Sequence, residues 1–246
     1  MKLISLLGIK TGSVISVVGA GGKTSFIFSL ANELRCRYKV LVTTTTKIYA
    51  PEKSQYDYIA LDDEKHLINN YCISKEKGIY VFGSLIEKEN KLSVLKNINL
   101  VDICKYFDYV LIEADGSKKK PIKGWRETEP VILENTNVTV GVLNIQVLGK
   151  EINDCLVHRL DRFLELTDAH EKQPVELKHL ETIVFSHKGL FKNSLGEKIL
   201  FINKVETPED DKGAKQLALN ITKNNSGRIN KIIAGSLKHS TFSLEL

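Results

Sequence analysis

The stretch GAGGKTS, residues 19–25, combines three glycines with a lysine and a threonine. Glycines let the backbone approach an anion closely, and the N–H groups at a helix N-terminus favour phosphate. Lys23 would reach the β- and γ-phosphates of a nucleotide, and the Thr24 hydroxyl would bind Mg²⁺. We therefore expect nucleotide contacts from Gly19, Ala20, Gly21, Gly22, Lys23, Thr24 and Ser25.

This loop is two residues shorter than the usual G-x-x-x-x-G-K-[ST] pattern, because Val17 stands at the first glycine position. The phosphate loop of the Mur-ligase type also reads G-x-x-G-K-[ST], so the short form is compatible with phosphate binding. A dinucleotide-binding loop is disfavoured, since Thr24 replaces the third glycine and threonines fill 43–46, where an acid is needed. The alternative is a tight strand–helix turn with a solvated Lys23.

Two acidic residues end the apolar stretch YVLIEADGS, residues 109–117. Mg²⁺ in nucleotide sites takes one or two carboxylates in addition to phosphate oxygens and water. Glu113 and Asp115 are therefore candidate metal ligands and, with Lys23, candidate catalytic residues. We favour Glu113 toward the metal and Asp115 toward an attacking water or acceptor, although the order could be reversed. The alternative is that one acid only stabilises an Asp-Gly turn.

Four threonines follow one another in VTTTTKI, residues 42–48, where a second strand is predicted to end. The carboxyl ends of parallel strands meet in one crevice, so Thr44 and Thr45 are candidates to bind Mg²⁺ or the γ-phosphate. The alternative is the ordinary preference of β-branched residues for strands.

A third strand end reads Asn203-Lys204-Val205-Glu206, which resembles the guanine-reading pattern N-K-x-D with Glu in place of Asp. A carboxylate there would accept hydrogen bonds from guanine N1 and N2. Residues 233–238 would provide a second loop near the base. We therefore expect base contacts from Asn203, Lys204 and Glu206 and favour guanine only slightly over adenine. The alternative is that Asn203 and Lys204 are ordinary residues at the end of a strand, without a contact to a base.

The segment DGSKKKPIKGWR, residues 115–126, carries four lysines and an arginine beside the two acids. It is predicted to be either a solvated loop or a basic flap that binds triphosphate or an anionic acceptor. Trp125, the single tryptophan, would anchor it. His158 and Arg159 open a predicted helix and would either cap it or reach the site.

Strand and helix patterns must position these residues. Apolar, β-branched runs predict strands at 14–18, 39–45, 79–83, 109–113, 138–144, 199–203 and 231–235. Helical spacing predicts helices at 24–37, 63–72, 98–107, 158–166, 175–184 and 208–223. This alternation predicts an α/β fold, a three-layer sandwich with a mainly parallel sheet flanked by helices. We expect residues 1–246 to form a single domain with a helical insertion at about 150–196, which lacks predicted strands.

Composition limits the class of protein. The 246 residues are 42% hydrophobic and 26% charged, which is ordinary for a globular chain, and the net charge of +5 does not indicate nucleic-acid binding. The four cysteines are well separated, so we expect reduced thiols rather than a disulfide framework or zinc site. No signal peptide or membrane span is predicted, and we expect a cytoplasmic protein without membrane partners.

The stretches VVGAGGKTS, VLVTTTTKIYAP, IEADGSKKKPIKGWRETEPVI, VHR and INKVET together resemble the YqeC family. The resemblance runs from about residue 13 to the end of the chain. It implies a P-loop NTPase-like fold and a role in maturing a selenium-dependent molybdenum hydroxylase or its cofactor, which would be partners of the chain. The motif residues that it carries over are Gly19, Gly21, Gly22, Lys23, Thr24, Thr43 to Thr46, Glu113, Asp115, Gly116 and Asn203.

Three functions fit these observations. The first is an Mg²⁺-dependent accessory protein that binds and hydrolyses ATP or GTP. The second is a small-molecule kinase or ligase that uses ATP, which the Mur-like loop favours. The third is a nucleotide-gated carrier with little turnover. An acceptor pocket would separate them, and the sequence does not locate one.

Overall fold

Strands and helices alternate along the chain in the computed structural model, which describes residues 1–61, 71–72, 74–86, 88, 90–95 and 98–245. The strands are β1 (Ser13–Gly19), β2 (Lys39–Thr44), β3 (Ile48–Tyr49), β4 (Tyr58–Leu61), β5 (Gly78–Ile86), β6 (Lys91–Ser93), β7 (Tyr109–Glu113), β8 (Ile122–Lys123), β9 (Val138–Asn144), β10 (Val157–His158), β11 (Glu197–Asn203), β12 (Lys231–Ser236) and β13 (Thr241–Leu244). The helices are α1 (Leu3–Leu7), α2 (Lys23–Leu34), α3 (Leu100–Cys104), α4 (Leu160–Thr167), α5 (Leu177–Phe185) and α6 (Pro208–Asn224).

Eleven of the described strands form one sheet. Its order is β13-β12-β11-β9-β1-β7-β2-β5-β6-β3, and β4 also pairs with β5. The central strands from β12 to β5 are parallel, whereas β13, β6 and β3 pair antiparallel at the two margins. The strand that precedes the glycine loop therefore lies between β9 and β7, and β7 carries the two acids toward that loop.

Helices cover both faces of this sheet. Every residue of β1 is buried, as expected for a parallel strand covered on both sides. Alternate side chains point to opposite faces: Ile15 and Val17 pack in the cluster that contains α1 and α2, whereas Val18 packs with α4, α5 and α6. The predicted α/β fold with a mainly parallel sheet flanked by helices is confirmed.

Each of the seven predicted strands is present, and five predicted helices match α2 to α6 within a few residues. The predicted helix at 63–72 lies almost wholly outside the described residues. Sequence reasoning missed α1 and the short marginal strands, because these have two to five residues and too little pattern to be recognised. The region 150–196 contains α4 and α5, which pack on the sheet, and also the two-residue strand β10. The single-domain interpretation stays a prediction.

The start of α6 fixes the backbone that follows β11. The Thr207 hydroxyl accepts a hydrogen bond from the Asp210 N–H at 3.1 Å. The Asp210 carboxylate accepts from the N–H groups of Thr207 at 2.9 Å and Glu206 at 3.1 Å. This reciprocal capping holds the 204–207 turn at the carboxyl edge of the sheet.

Replacing Phe26 tests the core beneath the glycine loop. Its ring is fully buried and lies 5.0 Å from the ring of Phe201, which joins α2 to β11. Phe26→Ala should lower the free energy of unfolding by about 3–5 kcal/mol, because it leaves a cavity in the core. Urea denaturation measures this change. Leu219→Ala on the exposed side of α6 is the control and should stay within about 0.5 kcal/mol; equal losses would contradict this account of the core.

Candidate functional site

A cavity of about 1010 Å³ opens at the carboxyl edge of the parallel strands. Such crevices are where ligands bind in open α/β sheets. The predicted site residues that line it are Gly21, Gly22, Lys23, Thr24, Ser25, Glu113, Asn203 and Lys204. Gly19, Ala20, Thr44, Thr45, Asp115 and Glu206 are not among the lining residues.

The glycine loop has a conformation that only glycines suit. Gly19, Gly21 and Gly22 have φ of +102°, +79° and +140°. A Cβ on Gly22 would clash with the Asn203 side chain, and one on Gly21 would clash with Asn144. The loop therefore packs directly against the ends of β9 and β11, and α2 begins immediately after it at Lys23. The first residues of α2, Lys23 to Ser25, line the cavity.

Lys23 lies inside the curve of this loop. Its ammonium donates to the Gly19 carbonyl at 2.7 Å and lies 3.3 Å from Asp115 Oδ1 and 3.5 Å from Glu113 Oε1. The residue is only 3% exposed. Burial disfavours its charge, but the attraction of Asp115 and then Glu113 outweighs burial and raises the pKa of Lys23. Two carboxylates therefore stabilise the charge of this lysine at the loop.

Thr24 and Glu113 form a contact across the site. The Thr24 hydroxyl donates to Glu113 Oε2 at 2.7 Å. Burial raises the pKa of the Glu113 carboxyl, although the attraction of Lys23 and the hydrogen bond from Thr24 oppose this rise. A hydroxyl and a carboxylate side by side next to the glycine loop are oxygen ligands of the kind that Mg²⁺ takes in nucleotide sites. That Glu113 faces a metal stays a prediction.

Asp115 lies beneath the loop. It is fully buried and accepts hydrogen bonds from the Gly19 N–H at 3.1 Å, the Trp125 indole at 2.8 Å and the Lys123 ammonium at 2.9 Å. Burial alone would raise the pKa of Asp115, but the attraction of Lys123 and Lys23 lowers it. Both carboxylate oxygens are occupied, so the geometry gives Asp115 a supporting position and not the expected orientation toward water or metal.

The threonine run divides into buried and cavity-lining positions. Thr44 is buried, and its hydroxyl donates to the Glu113 carbonyl at 2.8 Å; the Thr45 hydroxyl donates to Val131 O at 2.6 Å. Their hydroxyls therefore join β2 to β7 and to the segment after it. Thr46 and Lys47 line the cavity instead. The sequence placed the threonine run at the carboxyl end of a strand but could not tell which hydroxyl faces the cavity.

Asn203 connects three segments on the β11 side of the cavity. Its amide nitrogen donates to the Gly21 carbonyl at 2.8 Å, and its oxygen accepts from the Leu237 N–H at 3.4 Å. Glu206 lies 3.7 Å from the ammonium groups of the lining residues Lys204 and Lys238. Its Oε1 is buried and has no hydrogen-bond partner within the described part of the chain. Buried acceptors of this kind are rare and call for a donor.

The basic segment is partly buried. Lys123 is fully buried and donates to Asp115, to the Gly116 carbonyl at 2.7 Å and to Glu129 at 3.1 Å. Trp125 is also buried, so the end of the segment that contains Lys123 and Trp125 is anchored in the core and is not a flap. Lys118, Lys119 and Lys120 line the cavity, whereas Arg126 does not.

Glu129, His158 and Arg159 complete the same side of the cavity. The Arg159 guanidinium binds both carboxylate oxygens of Glu129, one of them at 2.6 Å. Burial, and then the charges of Arg159 and Lys123, lower the pKa of His158 to about 4. Sequence reasoning singled out His158 and Arg159 but missed Glu129, Asn144 and Tyr49. Asn144 could have been found, because it is polar at the end of an apolar strand; Glu129 has no local signal.

Other expected features concern metals, thiols and membranes. No group of three or more His, Cys, Asp or Glu residues in the described ranges is arranged to hold a metal ion, so a cation would depend on Thr24, Glu113 and ligand oxygens. The four cysteines are free thiols. None of the helices in the described chain is long and apolar enough to cross a membrane.

Comparison with known proteins identifies the family. The family model described as YqeC protein matches residues 15–161, a range that includes the glycine loop, both acids, the basic segment, His158 and Arg159. An uncharacterized protein YqeC of Escherichia coli strain K12 is 32% identical over 194 residues, which cover 78% of this chain and 75% of the relative. The resemblance inferred from the motifs is therefore confirmed, and the chain belongs to the YqeC family.

Proposed function

We propose that this chain binds an Mg²⁺–nucleoside triphosphate, ATP or GTP, at the glycine loop and hydrolyses it. The observation that carries the proposal is the contact between Thr24 and Glu113 at 2.7 Å, directly beside the Lys23 ammonium. It joins a helix N-terminus, a hydroxyl, a carboxylate and a cation in one crevice. A simple strand–helix turn requires none of these side chains to meet.

The chain's own groups supply positioning and charge. The loop N–H groups and Lys23 would hold the phosphates, while Thr24 and Glu113 would hold Mg²⁺. Bound Mg²⁺ would neutralise charge on the β- and γ-phosphate oxygens. Asp115 keeps Gly19 and Lys23 in place and acts as a positioning residue. Phosphoryl transfer needs little more than such positioning and electrostatic stabilisation.

The β11 side of the cavity is the proposed base site. Asn203 joins the loop to Leu237, and the buried Glu206 Oε1 is an acceptor in need of a donor. Guanine offers the N–H groups of N1 and N2 to one carboxylate, which supports GTP over ATP. The ammonium groups of the neighbouring Lys204 and Lys238 each lie 3.7 Å from the Glu206 carboxylate.

The family resemblance supports a place for this step in maturing a selenium-dependent molybdenum hydroxylase or its cofactor, in the cytoplasm. A turnover assay with and without molybdenum-cofactor or selenium species tests this. Release of inorganic phosphate without a phosphorylated or ligated product supports hydrolysis. A phosphorylated or ligated product would instead identify a kinase or a ligase. Tight nucleotide binding without turnover would identify a carrier.

Lys23→Met should weaken Mg²⁺–nucleotide binding about 10–100-fold, because it removes a charge-assisted contact to phosphate while keeping the length of the side chain. Calorimetry measures the affinity, and thermal unfolding checks that the variant is folded. Lys212→Met on the exposed face of α6 is the control. Unchanged affinity of a folded Lys23→Met protein would rule out the phosphate loop.

Glu113→Gln and Asp115→Asn should have different effects. Glu113→Gln should raise the Mg²⁺ concentration needed for half-maximal nucleotide binding about 10–100-fold, because a metal-side carboxylate is lost. Asp115→Asn should lower the free energy of unfolding by about 3–5 kcal/mol, because Lys123 and Lys23 lose a buried partner. Asp211→Asn, which breaks an exposed pair with Lys215, is the control and should change the free energy of unfolding by no more than about 0.5 kcal/mol. If both variants changed the Mg²⁺ requirement and the free energy of unfolding to the same extent, the separate roles given to Glu113 and Asp115 would be contradicted.

Glu206→Ala should weaken GTP binding about tenfold or more and ATP binding less than about twofold, because guanine donates to one carboxylate from both N1 and N2, whereas adenine has no such adjacent pair of N–H groups. Competition binding with both nucleotides measures the difference. Glu209→Ala, an exposed acid in the first turn of α6, is the matched control. Equal losses for ATP and GTP would remove the argument for guanine.

A further inference from the structure

The cavity has two ends, which lie on opposite sides of β1 in the strand order of the sheet. The glycine loop follows β1, and the proposed base site lies over β11 and β12 on one side of it. Tyr49 of β3, Lys91 of β6 and the segment after β7 line the cavity on the other side of β1. A nucleotide that extends from the loop toward Asn203 therefore leaves the second end unfilled. At about 1010 Å³ the cavity is at the upper limit for a single small-molecule site.

This second end is rich in positive charge. It includes Lys118, Lys119 and Lys120, and the carboxylates that line it among the described residues are Glu129 and, next to the glycine loop, Glu113, which pairs with Lys23. Glu129 is neutralised, because it pairs with the buried Lys123 and with Arg159. Lys120 pairs with Asp154 at 3.1 Å. Lys118 and Lys119 are exposed lining residues, and within the described chain neither forms an ion pair with a carboxylate.

The segment is held in this arrangement at an energetic cost. Lys118 and Lys119 are consecutive non-glycine residues with φ of +50° and +62°. Such backbone conformations cost roughly 1–2 kcal/mol per residue and concentrate at functional sites. The Lys119 ammonium lies 4.0 Å from the centre of the Tyr49 ring, which places this cation at the cavity wall. His158 also lines this end; burial lowers its pKa, and the nearby charges of Arg159 and Lys123 lower it further.

We propose that this end of the cavity, formed by Tyr49, Lys118, Lys119, His158 and Arg159, binds a second ligand beside the nucleotide, a small polyanion. The inference rests on the proposed nucleotide site, since that site defines which part of the cavity remains. An open crevice whose exposed lysines face its wall suits a small phosphate- or carboxylate-bearing molecule. The nucleotide-dependent step would then act on, or be controlled by, this second molecule.

Inorganic pyrophosphate and citrate are the probes, titrated by calorimetry into the Lys23→Met protein, in which the glycine loop has lost its cation. Pyrophosphate should still bind, and Lys118→Asn together with Lys119→Asn should weaken it about tenfold. Asparagine tolerates the left-handed backbone, so the variant removes charge without new strain. The matched control is Lys172→Asn with Lys150→Asn, two exposed lysines away from the cavity, of which Lys172 also has positive φ, +69°.

Binding that depends on Lys118 and Lys119 but not on the control pair supports the subsite. Tighter binding of pyrophosphate than of citrate assigns it to phosphate, and the reverse assigns it to carboxylate. Absence of binding by both probes, or equal weakening by the control pair, overturns the inference. Nucleotide affinity of the unaltered protein is measured separately, so failure of the nucleotide site and failure of this subsite give different results.

Discussion

A single buried carboxylate, Asp115, holds the site together. It joins the glycine loop through the Gly19 N–H, the basic segment through Lys123 and the tryptophan anchor through Trp125. A buried charge is tolerated only when it is paired and hydrogen-bonded, so the Asp115 carboxylate depends on all of these partners. Because Asp115 lies two residues beyond the end of β7 and Gly19 ends β1, the parallel pairing of these two strands brings them together.

The same constraint explains the neighbouring charges. Lys23 compensates Asp115 and Glu113, Lys123 compensates Asp115 and Glu129, and Glu129 in turn holds Arg159. Cations and acids therefore alternate from the glycine loop to the far wall of the cavity. Alternation of this kind keeps each buried charge compensated while it fixes side chains that would otherwise be mobile.

Sequence predicted much of the fold, because buried parallel strands and amphipathic helices have strong periodic patterns. The glycine loop and Glu113 were also predictable, since a short motif after a strand fixes their positions. The surroundings of Asp115 could not be predicted, because they depend on Trp125 and Lys123, which reach it through folding of the basic segment. Glu129 and Tyr49 were missed although each lies next to a segment that the sequence singled out, because neither carries a local pattern of its own.

Trp125 gives the molecule a natural optical probe. It is the single tryptophan of the chain, it is buried, and its indole N–H is bonded to the carboxylate that fixes Gly19. Intrinsic tryptophan emission therefore comes from one place, two hydrogen bonds from the glycine loop. Any rearrangement of that loop that shifts Asp115 changes the polarity around one indole, so the motion can be followed without a label.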